Sequence, residues 1–187
     1  MSVRRRELLK FGGLLACTGG LSLLAGAARA VASEPPAPRG RRLALRNLHT
    51  DESLEIEYCC DAVYDPAALA RLDHFLRDFR NDAEHPIDPR LFDTLFEAAA
   101  GLGADPVFSV ISGYRSPQTN QHLRSRSHGV AQHSLHMEGR AIDVRLAGVD
   151  CRALAAHAEL MACGGVGYYR ASNFVHLDTG ALRTWRG

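Results

Sequence analysis

Two stretches of the chain gather side chains suited to metal binding and hydrolysis. They are Ser134-Leu135-His136-Met137-Glu138-Gly139-Arg140-Ala141-Ile142-Asp143 and, later, Phe174-Val175-His176-Leu177-Asp178. Imidazole and carboxylate are zinc ligands, and a catalytic zinc site takes three protein ligands and leaves its fourth position to water. His136, Asp143 and His176 supply that number for one ion. Gly139 can release the chain from a loop into a strand whose Asp143 side chain returns toward His136, and a neighbouring strand then brings in His176. Each residue also has a purely structural reading: His136 on a loop, Asp143 in an ion pair at a strand edge, His176 hydrogen-bonded in a core.

The elements that must position these groups are legible in the hydrophobic pattern. Leu43 to Leu48 and Leu54 to Tyr58 alternate apolar and polar residues on either side of His49-Thr50-Asp51-Glu52-Ser53, which predicts a hairpin. Pro66 to Asn81 spaces Leu69, Leu72, Phe75, Leu76 and Phe79 along one helix face, with Asp65 as cap and Pro66 in the first turn. A second helix runs from about Pro89 to Ala100 behind Asp88, with Leu91, Leu95 and Phe96 as its stripe. Val107 to Ile111 is a short β-branched run, a buried strand emptying into Ser112-Gly113-Tyr114-Arg115-Ser116-Pro117, and a helix follows to about Ser125. Ala141 to Leu146 is the strand that carries Asp143. Cys151 to Met161 is a helix ended by Gly164-Gly165, and Val166 to Tyr169, Phe174 to Leu177 and Leu182 to Trp185 are short strands. Helices mixed with antiparallel strands make the expected fold α+β, a small antiparallel sheet with flanking helices.

The chain of 187 residues, 46% hydrophobic and 23% charged, suits one soluble domain and excludes a disordered or multi-span class. Residues 1–30 read as a signal peptide: Arg4, Arg5, Arg6 and Lys10 precede an uncharged run from Phe11 to Ala28, and small-residue cleavage patterns end at Ala30 and Ala32. Arg5-Arg6-Glu7-Leu8-Leu9-Lys10 resembles a twin-arginine signal, so the Tat translocase is an expected transient partner and the periplasm the destination. An uncleaved leader, or a lipoprotein signal ending Leu15-Ala16-Cys17, would instead leave the protein anchored to the membrane. Residues 31–41 are a proline-rich linker, and 42–187 are the folded domain. Removing the leader leaves 17 basic against 20 acidic residues, about −3, so nothing in the charge points to nucleic acid. Cys59, Cys60, Cys151 and Cys163 form no Cys-x-x-Cys pair. Cys59 and Cys60 alternate across their strand, which puts one of them in the core.

The pattern Ser-x-His-x-x-Gly-x-Ala-x-Asp followed by a later His resembles the zinc motif of the D-alanyl-D-alanine peptidases, whose fold is shared with the hedgehog signalling domain. Within that superfamily the chain is similar to the YcbK-like (MepK-type) murein endopeptidases of the bacterial periplasm. The further matches are Ser112 to Pro117 with Asn120, Gly164-Gly165-Val166-Gly167-Tyr168-Tyr169, and Phe174 to Gly180 with Trp185, which carry the resemblance from about Leu43 to Trp185.

The resemblance implies a single zinc ion on His136, Asp143 and His176, and hydrolysis of cross-link or stem peptides of peptidoglycan by a monomer. It leaves a murein carboxypeptidase, or a zinc-stabilised cell-wall binding domain without catalysis, as alternatives. Stem peptides carry carboxylates, so a cation is expected beside the metal. Arg115 is the candidate, to grip a substrate carboxylate or steady an oxyanion, or else to hold its own turn by an ion pair. Superfamily members place a Glu or His shortly before the third ligand as base, but here Ala171 to Val175 offers none. Asp178, on the same strand face as His176, is the candidate base; it also reads as an acceptor orienting His176 or as a turn cap. His133 is a weaker base candidate and reads first as a surface residue. His122, His128 and His157 match no motif, and Glu138 sits in a variable slot.

Overall fold

A computed structural model describes residues 40–126 and 129–187. The expected leader, Cys17 and nearly all of the linker therefore lie outside the described residues, as does His128. Strand β1 (Gly40–Asn47) takes up the last two residues assigned to the linker, because Arg41 has a partner there, the carboxylate of Asp93.

β1 and β2 (Ser53–Cys60) form the expected antiparallel hairpin, and a two-residue strand β3 (Val63–Tyr64) adds to its outer edge. Helices α1 (Pro66–Phe75) and α2 (Pro89–Gly101) follow, each starting on a proline behind an aspartate, Asp65 and Asp88, whose carboxylate accepts a first-turn N–H. Strand β4 (Val107–Ser112), helix α3 (Pro117–Arg126), strand β5 (Ala141–Leu146), helix α4 (Cys151–Met161), and strands β6 (Gly165–Tyr169), β7 (Phe174–Asp178) and β8 (Arg183–Arg186) complete the chain. No helix among the described residues is long and apolar enough to cross a membrane.

The fold is α+β, but its sheet is neither small nor wholly antiparallel. Eight strands run in the order β3-β2-β1-β4-β5-β7-β6-β8, and the pairs β1–β4 and β6–β8 are parallel. Parallel pairing needs a long crossover. The segment holding α1 and α2 provides one and the β7 hairpin with its following turn provides the other, and neither direction is written in local alternation.

The core forms where the apolar residues of the central strands, Phe108 and Val110, Ile142 and Val144, Val175 and Leu177, meet α2 and α4. Burying a side chain of this size stabilises by about 1.5–3 kcal/mol. The alternate residues of β5, β7, β6 and β8 face the other way and floor a cleft.

Helix α1 ends six residues before the expected Asn81. The apolar spacing continues, but Asp78, wholly buried, is taken by tertiary partners: its carboxylate accepts the N–H and hydroxyl of Ser116 at 2.9 and 2.8 Å. Phe79 leaves the helix stripe and stacks on His49. The four described cysteines are all free thiols, Cys59 in the core as expected and Cys163 exposed.

Candidate metal centre

Strand register assembles the site in one row. Asp143 of β5 lies opposite His176 of β7, His176 opposite Gly167 of β6, and Gly167 opposite Trp185 of β8. Side chains directly across neighbouring strands share a face. Gly167 has no side chain because the Trp185 indole occupies the space a Cβ would need, and this lets the indole reach His176, 5.1 Å between ring centroids. His136 arrives from a single 3₁₀ turn, Leu135–Glu138. Gly139 ends that turn at φ 64°, a left-handed conformation natural to glycine, and turns the chain into β5 as its place in the sequence predicts.

The structure brings His136, Asp143 and His176 together, all buried. Their facing atoms lie 2.9 Å (His176 Nδ1 to Asp143 Oδ1), 3.2 Å (His136 Nε2 to His176 Nδ1) and 3.4 Å (His136 Nε2 to Asp143 Oδ2) apart. A tetrahedral ion with ligands at roughly 2.0–2.1 Å would hold such atoms about 3.3 Å from one another. The tautomers agree. His136 Nδ1 faces the Gly113 carbonyl at 2.7 Å and must donate to it, while His176 Nε2 donates to Asp178 at 3.0 Å. Both inner nitrogens are thereby left as lone pairs, aimed with a carboxylate oxygen at one point. That donor set fits a divalent cation.

The electrostatics carry the same demand. Burial favours the neutral form of Asp143, but the two imidazoles outweigh it and hold the carboxyl well below the ordinary range. Burial pushes His136 down, and Asp143 does not offset it. Burial also pushes His176 down, yet hydrogen bonding to the carboxylates of Asp143 and Asp178 raises it overall, so two carboxylates call for positive charge at this ring.

Asp178 does share the face of His176, and its placement there favours the alternative of an acceptor that orients His176 over the role of base. Its carboxylate has no exposure and sits on the Nε2 side of His176, away from the converging lone pairs. Oδ1 accepts the N–H groups of Gly165 and Gly180 and one arm of Arg183; Oδ2 accepts His176 and the other arm at 2.6 Å. Burial would raise its carboxyl, and these donors more than reverse that, keeping it ionised. An acid so saturated is poorly placed to take a proton from water and well placed to orient the His176 ring.

Arg115 leaves β4 on a turn that wraps His136: its N–H donates to the His136 carbonyl at 3.1 Å, and Gly113 supplies the oxygen for His136 Nδ1. The buried Asp78 secures that turn through Ser116. Asn120 accepts from the guanidinium at 3.4 Å and donates to the Ala131 carbonyl, joining the turn to the loop opposite. The guanidinium stands 3.9 Å from Asp143, and its Nε is buried without a hydrogen-bond partner. Burial lowers its pKa, with Asp143 opposing.

A cleft of about 520 Å³ opens over the trio, lined among others by Arg115, His133, Tyr169, Phe174, Arg183 and Trp185. His133, read first as a surface residue, is exposed but lies on this wall. Arg183 and Asp78 are missed by the sequence reading. A spacing search has no signal for either, since their partners lie 5 and 38 residues away on other elements. Tyr169 and Trp185 stand in matched motifs without an assigned role.

A family model described as peptidoglycan L,D-endopeptidase MepK matches residues 35–185. The chain is 44% identical over 181 residues to the peptidoglycan L,D-endopeptidase MepK of Escherichia coli K12, covering 97% of this chain and 96% of that protein. It is 41% identical over 184 residues to the probable peptidoglycan L,D-endopeptidase MepK of Haemophilus influenzae, covering 98% and 96%. No solved structure gives a significant match.

Proposed function

From the premise that this chain belongs to the peptidoglycan L,D-endopeptidase MepK family, we propose that it is a zinc-dependent murein endopeptidase, hydrolysing peptide cross-links of peptidoglycan. The observation that carries the reading is the convergence of two tautomer-fixed imidazoles and a carboxylate on one point, beside a buried guanidinium with an unpaired N–H. His136, Asp143 and His176 hold the ion. Bound zinc lowers the pKa of its water from about 15.7 toward roughly 7 and polarises the scissile carbonyl.

The remaining work falls to the chain itself. Asp178 keeps the His176 proton on Nε2 so that Nδ1 stays a donor to metal, and the Gly113 carbonyl does the same for His136 through Nδ1. Arg115, whose guanidinium lines the cleft beside the trio, meets negative oxygen, either a stem carboxylate or the developing oxyanion. His133 is the only imidazole on the cleft outside the trio among the described residues, and it carries the proton from water to the leaving amine. Residues 1–30 direct twin-arginine export, 31–39 tether the domain, and the periplasmic enzyme acts as a monomer.

The test is digestion of purified cross-linked and free muropeptides by the mature protein, with mass analysis of products and zinc content measured alongside. Cleavage across a cross-link is expected; trimming of free stems alone would make it a carboxypeptidase. Bound zinc with no product from any stem would leave only a binding domain.

A further inference from the structure

Tyr169 closes β6 on the wall of the cleft. Its ring is fixed by stacking on Phe174, 4.5 Å between centroids and 16° between planes. Its hydroxyl oxygen accepts the Trp185 indole N–H at 3.0 Å. A phenol offers lone pairs and one proton. The indole can only donate, so it takes a lone pair and leaves the proton, for which no described residue provides an acceptor. Trp185 itself leans on His176, which ties the phenol to a residue of the trio.

The cleft therefore presents two donor groups. One is the Tyr169 hydroxyl; the other is the Arg115 guanidinium, which lines the same cleft. The phenol is also near enough to the guanidinium to bear on its charge. Donors fixed in advance around a site of developing charge stabilise it without reorganisation, and two such groups beside three converging ligand atoms are placed to meet a ligand oxygen. Peptide hydrolysis makes such an oxygen: the water oxygen bonds the carbonyl carbon and the carbonyl π pair moves onto its oxygen. Return of that pair breaks the C–N bond, and the proton taken from water goes to the leaving nitrogen. Negative charge exists only between those events.

We propose that Tyr169 is a catalytic residue, its hydroxyl paired with the Arg115 guanidinium as the donors of an oxyanion site, and Trp185 a positioning residue that aims it. This rests on the peptidase reading above. Tyr169 gives up no proton; it hydrogen-bonds to the oxyanion and returns to its unpaired state when the product leaves.

The experiment compares the zinc-loaded mature enzyme with Tyr169→Phe and Trp185→Phe on a cross-linked muropeptide, reading kcat, KM, zinc stoichiometry and inhibition by a phosphinate analogue of the scissile bond. Loss of one oxyanion donor costs about 10²–10³ in kcat. Tyr169→Phe keeps the Phe174 stack, so a fall of about 10² in kcat is expected, with KM within roughly twofold, full zinc and an equal loss of phosphinate affinity. Trp185→Phe should lose less, about 10-fold, in the same pattern. Wild-type kcat in Tyr169→Phe, or a rise in KM alone, overturns the proposal while the peptidase reading stands. A wild-type enzyme that cuts no muropeptide overturns both.

Discussion

Two buried polar clusters stand at opposite ends of the sheet order, and they differ in one respect. At the β1–β2–β3 end, Asp93 of α2 accepts Tyr58 at 3.0 Å, Tyr64 at 2.5 Å and Arg41 at 2.5 Å. Every donor there meets an acceptor. At the β5–β7–β6 end, Asp178 is just as saturated, but the layer inside it is not: three acceptor atoms face one another, and the Nε of Arg115 beside them is buried without a partner. Buried polar groups are normally satisfied. A closed network such as that of Asp93 ties elements together, whereas an open one marks where a ligand completes the protein.

Breaking the open cluster should have the largest effect. His176→Ala is expected to abolish zinc binding and to lower cleavage at least 10³-fold by order of magnitude, checked by metal analysis and muropeptide digestion. Retained stoichiometric zinc in that variant would remove the trio as the site. Asp178→Asn sharpens the boundary between the two kinds of network. Loss of a partner that orients a ligand weakens metal binding about 10–100-fold, so zinc titration should shift by that factor and saturating zinc should restore cleavage. Activity absent at saturating zinc would return Asp178 to the role of base.

The closed cluster should behave in the reverse way. Asp93→Ala leaves two tyrosine hydroxyls and Arg41 without their acceptor and should cost about 2–3 kcal/mol in urea denaturation, while kcat of the folded variant stays at the wild-type value. The smallest effect is on the alkaline side. Burial first, and then Asp93, raise both tyrosines, Tyr64 to about 12. A raised value means that the unfolded chain releases the proton first, near pH 10. The contribution is therefore full below about pH 10 and drains as pH climbs toward 12. Melting temperatures across pH 9–12 should fall more steeply for wild type than for Tyr64→Phe, and equal slopes would break the assignment.

Sequence reading reached the open cluster better than its support. The spacing from His136 through Gly139 to Asp143 is local, and the structure bears out the turn into a strand that it predicts. His176 joins from far along the chain because a later strand pairs beside β5. The helix starts at Pro66 and Pro89 were legible for the same local reason, since a cap and a first-turn proline act within four residues. Helix α1 shows where this stops. Its apolar spacing runs on to Phe79, and a tertiary demand on Asp78 ends it early.

By itself the sequence determined the turn from His136 into the strand of Asp143, the turn that carries Arg115, the element order and the α+β class, which follow from neighbours within a turn or a strand, and it offered His176 as the third candidate ligand through its motif. Only the tertiary structure decided that the sheet has eight strands with two parallel pairs, that Asp178 serves the outer nitrogen of His176, and that the Arg115 Nε is buried without a partner. Alternation tells which face a side chain takes. Whether its hydrogen bonds are already spent depends on groups such as Arg183, Trp185 and Asp78, which reach it from other elements.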